Sequence, residues 1–257
     1  MSRKELKNKP LVEAIFELRW NLKETAPGIK IDPHYKLLIG RLYDKFQEEY
    51  KFHEQLLAAA MPDEMAGYMV QHRFRKNKNE WPLIQLGPGI ITFNDTEGYV
   101  WEDFKNKIII VLDNLFELYP DAEDNLKVNS LLLRYIDAIN FDFEKDDIFK
   151  FLKEKMKVNI TLYPKLFEDT GIDRISASID LRFSFPSTKP KGVINLRFAR
   201  GKKEGTDALI WETMVRSTAG DAPGIKENIV TWLVDSHNLT NDWFFKLIEG
   251  ELLRRFE

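Results

Sequence analysis

Cysteine is absent from the whole of this 257-residue sequence. That absence removes disulfide staples, thiolate zinc and iron–sulfur ligation, and cysteine nucleophiles together. Long apolar runs are missing too. Even IIIVL at 108–112 falls far short of the roughly 20 residues that cross a bilayer. The opening Met1-Ser2-Arg3-Lys4-Glu5-Leu6-Lys7 has no apolar core of the kind a secretory leader needs. These gaps predict a cytoplasmic protein with no membrane partner.

Histidine is scarce: His34, His53, His72 and His237 are scattered, and no two stand at metal-ligand spacing. The acidic run Asp142, Glu144, Asp146 and Asp147 lacks the central glycine and closing glutamate of a calcium loop, and reads as a solvated helix start. No Gly-x-Ser-x-Gly, Walker loop or kinase set occurs. The sequence therefore predicts no metal and no cofactor, and no catalytic residue is assigned.

The chain holds 38 basic and 41 acidic side chains, a net charge of −3. That balance argues against a non-specific coat for nucleic acid but leaves room for a basic patch on one face. Hydrophobic residues at 44% and charged residues at 31% give a globular profile, with enough chain for a substantial core.

Strands announce themselves by alternation. From Val12 to Trp20 the even positions Val12, Ala14, Phe16, Leu18 and Trp20 are apolar. From Ile175 to Phe185 the odd positions are apolar, opposed by Ser176, Ser178, Asp180, Arg182 and Ser184, the pattern of a half-buried strand. Further strands are predicted near 67–75, 82–87, 89–94, 127–141, 192–200 and 207–217. Gly87-Pro88-Gly89, followed by a strand and not a helix, is a hairpin turn and not a phosphate cradle.

Helices follow the 3.6 period. Asp32-Pro33 opens one with Leu38, Leu42 and Phe46 inward. An apolar stripe from Trp101 through Phe104, Ile108 and Leu115 to Tyr119 forms a second, stopped by Pro120. A weaker helix is predicted over 145–156, another from Asp221-Pro223, and a last one capped by Thr240.

The first half thus reads strand, helix, three strands, helix. The second half, from about residue 126, reads the same and adds a helix. Arg19-Trp20 answers Arg134-Tyr135 in the opening strands, and Arg73-Phe74 answers Arg182-Phe183. This predicts an α+β fold of two similar halves, 1–122 and 123–257, with antiparallel sheets carrying helices on one face.

The most pointed motif is an arginine directly before an aromatic, met at Arg19-Trp20, Arg73-Phe74, Arg134-Tyr135, Arg182-Phe183 and Arg197-Phe198. Alternation sends the two members to opposite faces of a strand. If the rings fill a core, the guanidinium groups gather on the other side, where they can grip phosphate or carboxylate. The bland reading pairs them with acids on the same face, and Glu13, Glu17 and Asp180 lie close by in sequence. A different class of function, a metal-dependent hydrolase or nuclease, would build on Glu17, Asp137 and Asp180. The C-terminal segment, rich in Trp243, Phe244, Phe245, Leu247 and Leu252, is read either as core or as a homodimer face.

The opening Asn8-Lys9-Pro10-Leu11-Val12-Glu13-Ala14-Ile15-Phe16-Glu17-Leu18-Arg19-Trp20 resembles the signature start of a sporadically distributed bacterial family of uncharacterised proteins. The Gln85-Leu86-Gly87-Pro88-Gly89 turn, Tyr99-Val100-Trp101-Glu102-Asp103-Phe104 and Leu133-Arg134-Tyr135-Ile136-Asp137 extend the likeness over the first 140 residues. Proteins of that family often carry Asn where Asp137 stands. The resemblance implies a bacterial protein with an accessory or defence-type role; it brings no established activity and no catalytic residue.

The leading expectation is a non-enzymatic binding module. Arg19, Arg134, Arg182 and Arg197 would engage an anionic partner, nucleic acid or an acidic protein surface, with Glu13, Glu17 and Asp180 as supporting acids.

Overall fold

A computed structural model describes residues 6–96, 98–172, 175–226 and 228–257; the opening five residues, on which the leader argument rests in part, lie outside them. The first half runs β1 (Leu11–Trp20), β2 (Lys23–Ala26), β3 (Ile29–Ile31), α1 (Tyr35–Phe46), β4 (Phe52–Gln55), β5 (His72–Arg75), β6 (Leu83–Gly87), β7 (Ile90–Asp95) and α2 (Trp101–Leu118). The second runs α3 (Ala122–Asn125), β8 (Val128–Asn140), α4 (Ile148–Met156), β9 (Asp180–Thr188), β10 (Lys191–Lys203), β11 (Thr206–Thr218), α5 (Ile229–Leu247) and α6 (Glu251–Phe256).

The fold is mixed α and β around one large antiparallel sheet. Its nine strands lie in the order β4-β5-β6-β7-β1-β8-β11-β10-β9, while β2 and β3 form a small separate hairpin. Two separate sheets were expected. Instead β1 and β8 pair along their length, Phe16 opposite Leu133 and Leu18 opposite Leu131, which fuses the strands of both halves into one surface.

Alternation decides which side chains enter the core. Ala14, Phe16, Leu18 and Trp20 of β1 are at most 1% exposed and cluster with Leu38 and Leu42 of α1, Phe104 and Ile108 of α2 and Trp232 of α5. A second cluster joins Phe198 of β10 and Trp211 of β11 to Leu152 of α4 and Leu252 of α6. Burying each such side chain contributes roughly 1.5–3 kcal/mol.

Several boundaries depart from the sequence reading for physical reasons. Residues 175–179 carry the alternation but leave the ladder, and the strand begins at Asp180, where pairing with Ala199 starts. The hairpin β2–β3 and edge strand β4 are new; β2 is exposed throughout and so has no burial pattern to read. Thr240 does not cap a helix. It lies inside α5, and its hydroxyl donates back to the Ser236 carbonyl at 2.9 Å, the alternative bond open to a mid-helix threonine. Asp147 does cap, accepting from the backbone N–H of Phe149 at 2.9 Å and Lys150 at 3.1 Å. In the C-terminal segment Ile248, Leu252 and Phe256 are buried, and Trp243, Phe244, Phe245, Leu247 and Leu253 pack partly buried against the same cluster. The segment read either as core or as a homodimer face thus packs largely into the core. Among the described residues no helix is long and apolar enough to cross a membrane.

Candidate functional site

The arginine–aromatic register folds as the alternation requires. Trp20, Phe74 and Phe198 are 0% exposed and Tyr135 is 9% exposed, while Phe183 packs partly buried. The arginines leave from the opposite side, and there each meets an acid or an amide. Arg182 and Arg197 stand opposite one another across β9 and β10 and clasp the same carboxylate. Arg182 donates to Asp180 through Nε at 3.1 Å and Nη2 at 3.0 Å. Arg197 donates to it through Nε at 2.9 Å and Nη2 at 3.0 Å. Such fork-to-fork bonds favour the ionised acid, and those from Arg197, then Arg182, hold the Asp180 carboxyl well below the usual carboxylate range. Arg197 also reaches Glu212 at 3.0 Å, and Arg134 reaches its other oxygen at 2.6 Å. A chain Arg134–Glu212–Arg197–Asp180–Arg182 therefore crosses β8, β11, β10 and β9.

Arg19 is not part of that chain. Its Nε lies 2.7 Å from Glu17, and its guanidinium sits over the Tyr68 ring at 5.4 Å. Glu13, expected to steady an arginine, instead accepts from Asn94 at 2.7 Å. Arg73 donates to Gln85 at 2.9 Å. Glu212 was missed from sequence, although its place beside the inward Trp211 puts it on the arginine side.

On the core side, a cavity of about 690 Å³ opens between the segment before β1, the start of α2, the second half of β8, the middle of β11, and α5. Its floor comes from strand parity. On β8 Leu131, Leu133, Tyr135, Asp137 and Ile139 share a face, and all five are buried; four are apolar or aromatic and one is an acid. Asp137 is 2% exposed, and Thr213, paired with Tyr135 on β11, is 1% exposed. Among the described residues, Asp137 Oδ2 and Thr213 Oγ1 are buried with no hydrogen-bond partner. Groups of this kind are rare in folded proteins, because stranding one costs roughly 1–3 kcal/mol.

The walls are aromatic. Trp101 opens α2 and stacks on His237 of α5, with ring centroids 3.8 Å apart and planes 5° from parallel. His237 Nδ1 lies 2.9 Å from the Tyr135 hydroxyl, which lies 2.9 Å from the Tyr99 hydroxyl. Thr240, Asn241, Phe244 and Phe245 follow His237 at helical spacing and line the same cavity. Lys9 donates to the Tyr99 carbonyl at 2.8 Å beside the opening.

Burial sets the protonation states. It pushes the Asp137 carboxyl up to about 8, against a weaker pull down from Lys203, so at pH 7 the group is mostly a neutral acid. Burial drives His237 down to about 4 and raises both tyrosines. The imidazole is therefore neutral at pH 7.

The carboxylates considered for a metal-dependent enzyme do not converge. Asp137 faces the core cavity, Asp180 is committed to two arginines, and Glu17 is beside Arg19 on the other face. Among the described residues no group of three or more His, Cys, Asp and Glu side chains could hold a metal ion. No family model and no curated protein matches this chain, so function is argued from the site itself.

Proposed function

We propose that this chain is a non-enzymatic binding module whose ligand is a small organic molecule seated in the cavity around Asp137. One observation carries the reading. A carboxyl group that is 2% exposed and has a partnerless oxygen faces a cavity of about 690 Å³, the size and mixed character of small-molecule sites. Binding is favoured over turnover because the Thr213 hydroxyl touches no base and His237 Nδ1 is taken by Tyr135. Two-dimensional NMR of the chain, with indole and backbone signals followed through a fragment mixture, tests it. Shifts concentrated at Trp101, Tyr99, Tyr135 and Phe244 are expected; shifts elsewhere alone, or none, contradict it.

A second reading keeps the anionic partner of the arginine face. Three guanidinium groups, Arg134, Arg182 and Arg197, share two carboxylates, Asp180 and Glu212, which leaves one positive charge in excess. Anisotropy with single-stranded RNA and DNA at two salt concentrations tests this reading. Binding that falls steeply with salt is expected, and no binding at low salt removes nucleic acid as the partner.

We also infer that residues 1–122 and 123–257 are copies of one unit. Strand order supports this: β1 has the last strand of its own meander, β7, as neighbour, followed by β6 and β5, and β8 is followed in the same way by β11, β10 and β9. Core membership supports helices lying on one side of that common sheet. The family resemblance supports reading such a module as part of a bacterial accessory system.

A further inference from the structure

We propose that the cavity is built for an organic amine, its ammonium seated on the Asp137 carboxylate and the Thr213 hydroxyl and its apolar or aromatic body lying along Trp101, Tyr99 and Phe244. This rests on the cavity reading above and adds the ligand's charge and its hydrogen-bonding donors.

The first argument is donor and acceptor arithmetic. Asp137 and Thr213 project from adjacent strands, one step apart in register, since Thr213 pairs with Tyr135 and Asp137 with Trp211. Both have a buried oxygen with no partner. An ionised carboxylate only accepts, and a hydroxyl oxygen can accept as well. An ammonium only donates, with up to three N–H groups, so a single nitrogen can satisfy both oxygens. An anionic ligand would meet Asp137 as a like charge, or would have to keep it protonated.

The second argument is the walls. Trp101, Tyr99 and Tyr135 line the cavity, and the face of an aromatic ring attracts a cation held close to it. The third is the charge that surrounds Asp137. His237 from α5 is neutral at pH 7, and Tyr99 and Tyr135 have their hydroxyl pKa values raised by burial. Lys9 and Glu102 line the cavity with opposite signs, and Lys203 of β10 draws the carboxyl down too weakly to offset its burial. The uncompensated group is therefore the acid.

The proton balance follows. The amine arrives already protonated and keeps its proton, and Asp137 releases its own to solvent. Because the empty cavity holds that proton up to about pH 8, affinity for an ammonium should rise about tenfold per pH unit below 8 and level off above it.

Isothermal titration of the full chain with tryptamine and with tryptophol, which replaces the ammonium by a hydroxyl, tests this at pH 6.5 and 8.5. Tryptamine should bind about twentyfold more tightly at pH 8.5 than at pH 6.5, with proton release, while tryptophol binds weakly and alike at both. Asp137→Asn should abolish the pH dependence and bring tryptamine down to the level of tryptophol. Thr213→Val should weaken tryptamine several-fold and keep the pH dependence. Equal binding of both compounds at both pH values overturns the amine proposal and leaves the cavity reading standing. Binding of neither compound overturns the amine proposal and counts against the cavity reading as well. The comparison of the two compounds on the unaltered chain does not depend on either variant folding.

Discussion

Asp32 and Asp137 each sit among aromatic side chains, Asp32 in the first half of the chain and Asp137 in the second. Asp32 is a knot. Its Oδ2 accepts from the Trp20 indole at 2.9 Å and the Gly89 N–H at 3.2 Å, and its Oδ1 from the Tyr119 hydroxyl at 2.8 Å and the His34 N–H at 3.0 Å. Those four bonds tie β1, the Gly87-Pro88-Gly89 turn, the start of α1 and the end of α2 to one side chain. Asp137 is more deeply buried and yet has an oxygen with no partner. The same residue type thus does structural work where donors converge on it and is left open where a cavity takes their place. An acid kept in that condition is a cost to the fold, and that cost is what the proposal of a ligand site rests on.

The largest effect that would sharpen this contrast is the loss of the knot. Asp32→Ala leaves the indole of Trp20, 0% exposed, and the hydroxyl of Tyr119, 4% exposed, without an acceptor. Urea unfolding should show a loss of about 4 kcal/mol. A loss under about 1 kcal/mol would mean that water replaces the carboxylate and that the knot is decorative.

The next effect has a sign set by linkage. Folded Asp137 keeps its proton up to about pH 8, whereas an unfolded aspartate loses it near pH 4. Above that lower value the fold binds one proton more than the unfolded chain. Stability therefore falls as pH rises toward 8 and is flat beyond. His237, pushed down to about 4, acts in the opposite sense: the unfolded chain takes up the proton first as pH drops below about 6.5, so this contribution is flat above that value. His72, lowered by burial and by neighbouring His53, is flat there too. Between pH 6.5 and 8 the Asp137 slope stands alone, and stability should fall by about 2 kcal/mol. In Asp137→Asn the same denaturant titration should give a flat line.

The smallest effect lies on the arginine side. Arg197→Ala leaves Asp180 with Arg182, a pair exposed enough to be screened, and Glu212, partly buried, still with Arg134. Unfolding free energy should fall by less than about 1 kcal/mol. A larger loss would show that the chain of ion pairs acts as one unit.

Much of the fold was legible because strand parity is written directly in the residues. From Ala14 to Trp20 the even positions of β1 were buried as their alternation assigns, Val12 being exposed instead, and the Arg-aromatic pairs split to the two faces. What failed was whatever depends on partners distant in sequence. Nothing in residues 12–20 or 131–139 says that β1 and β8 pair with each other and merge the sheets. Lys23–Ala26 is a strand only because Ile29–Ile31 lies beside it. Thr240 has the composition of a cap, but the helix that runs through it is held by Trp232 and Leu233 on the core side. At the candidate site the signal was present and was read toward a different chemistry. Asp137 is the one acid in the inward series Leu131, Leu133, Tyr135, Asp137, Ile139. It was considered as a metal ligand with Glu17 and Asp180, whereas parity and depth make it a lone acid facing a cavity. Trp101 and His237 stack face to face from helices 136 positions apart in sequence, and no local pattern foretells that contact.

The most direct measurement is the protonation of Asp137 itself, followed by carbon-13 NMR of its side-chain carboxyl in the free protein from pH 4 to 9. An inflection near pH 8 is the expected result for this buried acid. An inflection near pH 4 would mean that the group is solvated or paired, and the case for a ligand in that cavity would fall with it.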